Sequence, residues 1–179
     1  MRRWIARKAI NRFGAQFDYD VGYMRWLLSV SPSAFFKFLA VTKLSRHAEA
    51  APQTALFAAR IVGAMTEDCG PCVQLVVDMA RAARVPDGDI DAILRRDERA
   101  MSDEAALAFR FADAVARREN ADERREAVRS RWGDRGVVDL TFALQASRLY
   151  PMVKAGLGYA RECVRVKIGG KPVDVARAA

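Results

Sequence analysis

The sequence predicts an all-α fold, because three observations agree. Apolar residues recur at helical spacing through most of the 179 residues. Only 11 Gly and 6 Pro interrupt the pattern, while Ala and Arg, both good helix formers, are abundant. Strand-like alternation is absent apart from a short stretch at 164–168. The length suits one core, so we expect residues 1–179 to form a single helical domain.

In the first half of the chain, capping residues, prolines and a polar loop separate the predicted helices. Ser31-Pro32 ends the second helix, and Ser33 is expected to cap the third. A polar loop at 47–52 precedes the fourth helix. Pro71 suits the first turn of the fifth, where its missing N–H would have no partner. The expected helices are residues 2–13, 20–30, 33–45 and 53–65, and a fifth that has Pro71 in its first turn and runs to about residue 84.

In the second half, turn and capping residues mark the boundaries. Residues 85–88 have turn composition, and Ser102 is expected to cap a helix with two acids in its first turn. Gly133 and Pro151 are expected to separate the last three helices. The Gly- and Lys-containing tail, 167–179, is expected to fray. The expected helices are residues 89–95, 103–118, 122–131, 134–149 and one beginning at 151.

The positive charge is concentrated at the N-terminus. The chain carries +8, and five basic residues without an acid lie in the first twelve positions. The remainder is ordinary for a globular domain, so nucleic-acid binding is not expected. We expect residues 1–13 to form a basic N-terminal arm that packs Trp4 and Phe13 on the body. The alternative is that residues 2–13 contact an anionic membrane surface.

Three cysteines, two of them spaced C-x-x-C, point to redox or metal chemistry rather than to a secreted disulfide scaffold. No apolar run has membrane-spanning length and no signal peptide is evident, so a cytoplasmic location is expected. A structural zinc ion needs four ligands. Beyond Cys69 and Cys72 the chain offers His47, its only histidine, and the isolated Cys163. No metal or other cofactor is therefore expected.

The segment Cys69-Gly70-Pro71-Cys72 is the candidate active site. Three residues are close to one helical turn, so both sulfurs can share a face and form a reversible disulfide. A helix N-terminus lowers the pKa of a thiol and so raises the fraction of nucleophilic thiolate. One cysteine can then attack a peroxide or disulfide while the other resolves the product.

Two carboxylates precede the dithiol. Glu67 and Asp68 would raise the thiol pKa if both were ionised and close. Glu67 is the candidate catalytic carboxylate, as a proton acceptor for the attacking thiol. The alternative is that Asp68 or Thr66 caps the helix and that Glu67 is solvated.

The stretch from Glu67 to Ala80, EDCGPCVQLVVDMA, resembles the core of the alkylhydroperoxidase D (AhpD)-like / carboxymuconolactone decarboxylase family. The resemblance extends over roughly residues 30–160. It implies an all-helical bundle with the C-x-x-C at the start of a core helix and assembly into a homo-oligomer. It also implies that Cys72 attacks a hydroperoxide, that Cys69 resolves it, and that a lipoyl or thioredoxin-like protein is the reductant. Thioredoxin-type sites instead favour the first cysteine, so the nucleophile stays open.

The sequence departs from the peroxidase pattern at two positions of the family's proton relay. Val76 stands where the relay histidine is expected, and Phe57 stands where the relay glutamate is expected. Glu67, Asp78 or His47 are possible substitutes. Cys-Gly-Pro-Cys is also the thioredoxin tetrapeptide, but a helix precedes it here and no sheet is predicted.

Two functions are therefore expected. The first is a thiol-dependent oxidoreductase that cycles Cys69 and Cys72 between dithiol and disulfide and reduces a hydroperoxide or disulfide substrate. The alternative is a non-catalytic helical interaction protein with a degenerate site, which Val76 and Phe57 favour.

Overall fold

The computed structural model describes residues 2–160 and 166–176, and this part of the chain is mostly helical, as predicted. It also contains a 3₁₀ turn at Glu98–Ala100. The helices are α1 Arg2–Gln16, α2 Gly22–Val30, α3 Pro32–Phe38, α4 Val41–Ser45, α5 Gln53–Thr66, α6 Gly70–Ala82, α7 Asp87–Arg95, α8 Asp103–Arg117 and α9 Asp122–Gly156, and the strands are β1 Lys167–Ile168 and β2 Lys171–Pro172.

The main core surrounds α5, which packs against α6, α7, α8 and α9. Eleven consecutive residues of α5, from Ala55 to Met65, are buried. Small side chains allow this close packing: a Cβ added at Gly63 would lie 2.5 Å from the carbonyl oxygen of Leu144 on α9. The sequence of α5 therefore specifies a central helix with neighbours on every side.

A second apolar cluster is formed by the N-terminal helices. Its buried members come from α1, from the loop that follows it, and from α2 and α3. They include Ile10, Tyr19, Tyr23 and Phe35. Basic α1 is therefore part of a layer, with Phe13 packed inward as predicted against Phe17 and Tyr19. Trp4 is 60% exposed, so the predicted packing of Trp4 on the body is wrong.

Several helix ends follow local signals. Ser102 caps α8 by accepting a hydrogen bond from the Ala105 N–H, as predicted. Gly133 adopts φ +70°, which breaks α9 at the predicted position. The cap of α3 is Ser31 and not Ser33, because Pro32 occupies the first helical position. The helix predicted over 33–45 is divided into α3 and α4.

Two further predictions about the C-terminal part are wrong. The chain stays helical through Pro151, which is buried along with Ser147 and Lys154 on the same face of α9. This packing offsets the loss of one helical hydrogen bond. Within the tail expected to fray, residues 167–172 instead form the β1–β2 hairpin, and Val166 before it is buried in the core. Gln74 on α6 hydrogen-bonds both the N–H and the carbonyl of Lys167.

In residues 2–160 and 166–176, none of the helices has the length and apolar character that crossing a bilayer requires. Cys163, expected on the last helix, lies outside the described residues.

Candidate functional site

The dithiol lies at the start of α6, as the spacing predicts. Cys69 is the N-cap residue, and its carbonyl accepts hydrogen bonds from the N–H groups of Cys72 and Val73. The two Cα atoms are 5.2 Å apart and the sulfurs are joined in a disulfide. Both cysteines are buried. The structure therefore holds the pair in its oxidised form within a single helical turn.

Cys72 lines a cavity of about 360 Å³, whereas Cys69 does not. The cavity lies between the N-terminal layer and the main core, and most of its wall is apolar. One side is formed by α1, through Ala6, Ala9, Ile10 and Phe13. Such a volume and lining are typical of small-molecule sites.

Tyr19 brings a hydroxyl to the dithiol. Its oxygen lies 3.9 Å from the Sγ of Cys72, and either atom can be the donor. Burial raises the pKa of Tyr19 to about 12, although a hydrogen bond with Tyr23 opposes the rise. The phenol therefore stays protonated at physiological pH and can donate to a thiolate or a peroxide oxygen.

A buried cation lies next to this phenol. Lys154 on α9 is 3% exposed, and its ammonium is 5.0 Å from the ring centroid of Tyr19 and 5.9 Å from that of Tyr23. Burial also raises the pKa of Tyr23. Sequence reasoning missed Tyr19, Tyr23 and Lys154, because no local pattern links residues about 50 to 135 positions apart in the chain.

The carboxylate predicted to assist the dithiol lies outside the cavity wall. Glu67 is the C-cap residue of α5, and its Oε1 accepts a hydrogen bond from the Nε of Arg148 at 2.7 Å. Asp68 is exposed with φ +46°. The Thr66 hydroxyl donates to the Val62 carbonyl, so Thr66 uses its hydroxyl within α5.

The other two possible relay substitutes also lie away from the cavity wall. The side chain of Asp78 accepts a hydrogen bond from Gln74, and burial raises the pKa of Asp78. His47 packs on Phe142 and lies 3.5 Å from a carboxylate oxygen of Asp139. Val76 and Phe57, the apolar residues at the relay positions, do line the cavity.

Tyr150 is another tyrosine of the cavity wall, and its hydroxyl is engaged elsewhere. Its ring reaches the cavity, but its hydroxyl lies 3.4 Å from Thr42 Oγ1 and its ring packs edge-on against Phe38. The hydroxyl beside the dithiol is therefore that of Tyr19.

The cavity also contains a buried guanidinium. Arg60 on α5 is 9% exposed and donates from Nη2 to the Ser45 carbonyl at 2.6 Å. Its Cζ lies 4.5 Å from the ring centroid of Phe57. Burial lowers the pKa of Arg60. In the described part of the chain, the Arg60 Nε has no hydrogen-bond partner.

A metal centre would need a different set of side chains. Among the described residues, no three His, Cys, Asp or Glu side chains cluster closely enough to hold a metal ion.

Comparisons with protein-family models, curated proteins and solved structures yield no match to this chain.

Proposed function

We propose that this protein is a thiol-dependent oxidoreductase in which Cys69 and Cys72 cycle between dithiol and disulfide. The observation that carries the proposal is the Cys69–Cys72 disulfide with the Cys72 sulfur at the wall of an apolar cavity, beside the Tyr19 hydroxyl. Packing alone does not require two sulfurs within bonding distance at a helix N-terminus, whereas reversible thiol chemistry does.

The position of Cys72 favours it as the nucleophile, in agreement with the family resemblance. Its thiolate attacks one oxygen of a hydroperoxide, an S–O bond forms, the O–O bond breaks, and the leaving alkoxide takes a proton to become an alcohol. The Cys69 thiol then attacks the Cys72 sulfenic acid, which forms the disulfide and releases water. The Tyr19 hydroxyl, 3.9 Å from the reacting sulfur, can supply that proton.

A dithiol reductant closes the cycle by thiol–disulfide exchange, which oxidises the reductant and restores both cysteines. A lipoyl or thioredoxin-like protein supplies such a dithiol. The cycle requires a reducing compartment, which agrees with the expected cytoplasmic location.

The test is thiol counting on the reduced full chain in a Cys163→Ser background. Organic hydroperoxide should consume two thiols in the parent protein. Cys69→Ser should accumulate a sulfenic acid that dimedone traps, and Cys72→Ser should not react. Hydroperoxide consumption by Cys72→Ser at the parent rate would refute the proposed role of Cys72.

A non-catalytic helical protein with a degenerate site is the second candidate. It is favoured by Val76 and Phe57, which put apolar surface where the family's relay would act. It predicts thiols of ordinary reactivity. Alkylation rates of the reduced protein, measured against pH, separate the two functions, because a catalytic thiolate requires a lowered thiol pKa.

Two surface contacts belong to the proposal. Homo-oligomerisation is implied by the resemblance. Membrane-surface contact is supported by Trp4 and Ile5, which are 60% and 54% exposed beside the basic residues of α1. Sedimentation velocity, and liposome co-sedimentation of a Trp4→Ser, Ile5→Ser variant, test these two contacts. No nucleic-acid partner is proposed.

A further inference from the structure

Arg60 is a charged group that the proposed chemistry does not use. A guanidinium has five N–H donors, and one hydrogen bond from Arg60 is recorded among residues 2–160 and 166–176, to the Ser45 carbonyl. In those same ranges, no carboxylate offsets the burial of Arg60. Its Nε is closed off from solvent without a hydrogen-bond partner, as is the Nε of Arg96. The face of Phe57 is its other recorded contact.

A buried charge of this kind needs a counterion. Desolvation opposes the charged form, yet arginine stays protonated at physiological pH. Arg96 offers a contrast, because it is also largely buried but donates from Nη1 to the Asp113 carboxylate at 2.6 Å. Within residues 2–160 and 166–176 Arg60 has no such acid, which favours an anionic ligand as its counterion.

The charges around the cavity favour an anion. Among the described residues of the cavity wall are two arginines, Arg46 and Arg60, and no aspartate or glutamate. Lys154 packs behind this wall, against Tyr19 and Tyr23, and is not itself a wall residue. The remaining wall is dominated by aliphatic and aromatic side chains. A ligand matching this wall has one anionic group and an apolar body.

We propose that the cavity binds an amphipathic monocarboxylate, with the Arg60 guanidinium as counterion, and that the hydroperoxide of such an acid is the substrate. The second part rests on the proposed function, while the first does not. Arg60 matches a carboxylate because its fork of N–H donors suits two oxygens. The apolar wall holds the hydrocarbon and leaves the hydroperoxide group for Cys72 and Tyr19. A cavity of about 360 Å³ restricts the acid to a medium chain length.

Binding is tested without redox chemistry, on the full chain carrying Cys69→Ser and Cys72→Ser. Calorimetric titration with decanoate, decanol and decyl phosphate should show that decanoate binds most tightly. Arg60→Gln should weaken decanoate binding by about tenfold or more and leave decanol unchanged. Arg96→Gln is the matched control, because it also alters a buried guanidinium and should leave both affinities unchanged.

Several results would overturn the binding proposal. Equal affinity for decanoate and decanol would remove the counterion role, as would undiminished decanoate binding by a folded Arg60→Gln protein. Tighter binding of decyl phosphate than of decanoate would show that the cavity prefers a phosphate ligand to a carboxylate. If Arg60→Gln does not fold, Arg60→Lys keeps the charge and loses the fork. Arg60→Lys should retain the preference for decanoate over decanol, and equal affinity of folded Arg60→Lys for the two ligands would overturn the counterion role.

Turnover then separates this inference from the proposed function. The reduced wild-type protein should reduce ω-hydroperoxydecanoate with a higher kcat/KM than decyl hydroperoxide. Equal turnover of both would refute the carboxylate substrate while supporting the oxidoreductase. Tight decanoate binding with no turnover of either would refute the oxidoreductase and the substrate claim but support the binding site.

Discussion

The main core and the N-terminal layer are both built from apolar side chains, but the two regions are packed differently. Most of the buried side chains of α5 are Ala, Val, Ile and Leu, and a glycine allows α9 to approach. In the layer of α1–α4, large aromatic rings meet at angles and enclose a cavity between themselves and α6. The difference teaches that apolar composition alone does not distinguish a scaffold from a binding site; the shapes of the side chains do.

The strongest test of this contrast compares two phenylalanines. Phe111 on α8 is 1% exposed in the core, and its replacement by Ala should lower the free energy of unfolding by about 3–5 kcal/mol. Phe38 is half-buried at the cavity wall, so Phe38→Ala removes contacts next to existing space and should cost about 1 kcal/mol. Urea denaturation measures both. Equal losses would show that the layer is packed as tightly as the core.

A second test adds a single methyl group to the core. Gly63→Ala places a Cβ against the Leu144 carbonyl and should cost roughly 1–3 kcal/mol, because two backbones must separate. Gly156→Ala near the end of α9 meets no atom within 4 Å and should be neutral or stabilising by about 0.5–1 kcal/mol. Thermal melting of both variants checks the prediction, and a neutral Gly63→Ala would contradict the close approach.

A third test concerns how the core is tied to the loop before α5. Asp139 on α9 is fully buried and accepts N–H groups of Glu49, Ala50 and Ala51. Burial by itself raises the pKa of Asp139, but these hydrogen bonds, with His47, outweigh it and hold the pKa below its usual range. Asp139→Asn should cost roughly 2 kcal/mol at neutral pH.

The pH dependence of Asp139 follows from the same direction of shift. A carboxyl with a lowered folded-state pKa stabilises the protein above its unfolded pKa of about 3.9, and the contribution is lost as pH falls through the folded pKa. The difference in unfolding free energy between the wild type and Asp139→Asn should therefore shrink below pH 4. A constant difference from pH 7 to 3 would argue against the buried carboxylate as its source.

The smallest expected effect concerns the layer's contribution to chemistry. Tyr19→Phe removes the hydroxyl nearest Cys72 and should slow oxidation of the reduced protein by hydroperoxide about tenfold. Because the pKa of Tyr19 is about 12, its hydroxyl stays protonated below pH 10, so the shape of the pH–rate profile should not change in that range. Tyr159→Phe, outside the cavity wall, is the control and should react at the wild-type rate.

Features that depend on neighbouring residues in the chain were predictable from the sequence. Ser102 and Gly133 were recognisable because a cap and a positive φ depend on adjacent backbone. The disulfide within Cys69–Cys72 follows from one turn of helix in the same way. The family resemblance and the redox role stay predictions.

Features that depend on packing between distant parts of the chain were not predictable from the sequence. Pro151 continues its helix because the buried face of α9 outweighs one lost hydrogen bond. Tyr19 and Arg60 reach the cavity from elements that only the folded chain brings together. A lone tyrosine or arginine carries no periodic signal, so neither could be selected in advance.

The two hydrogen bonds between Gln74 and Lys167 have a mechanical consequence for the dithiol helix. They join α6, two residues after Cys72, to the start of the β1–β2 hairpin. When the disulfide is reduced and the sulfurs separate, these two hydrogen bonds resist displacement of the helix. We therefore expect the backbone movement of the proposed redox cycle to occur in the segment before α6, where Asp68 adopts a left-handed backbone.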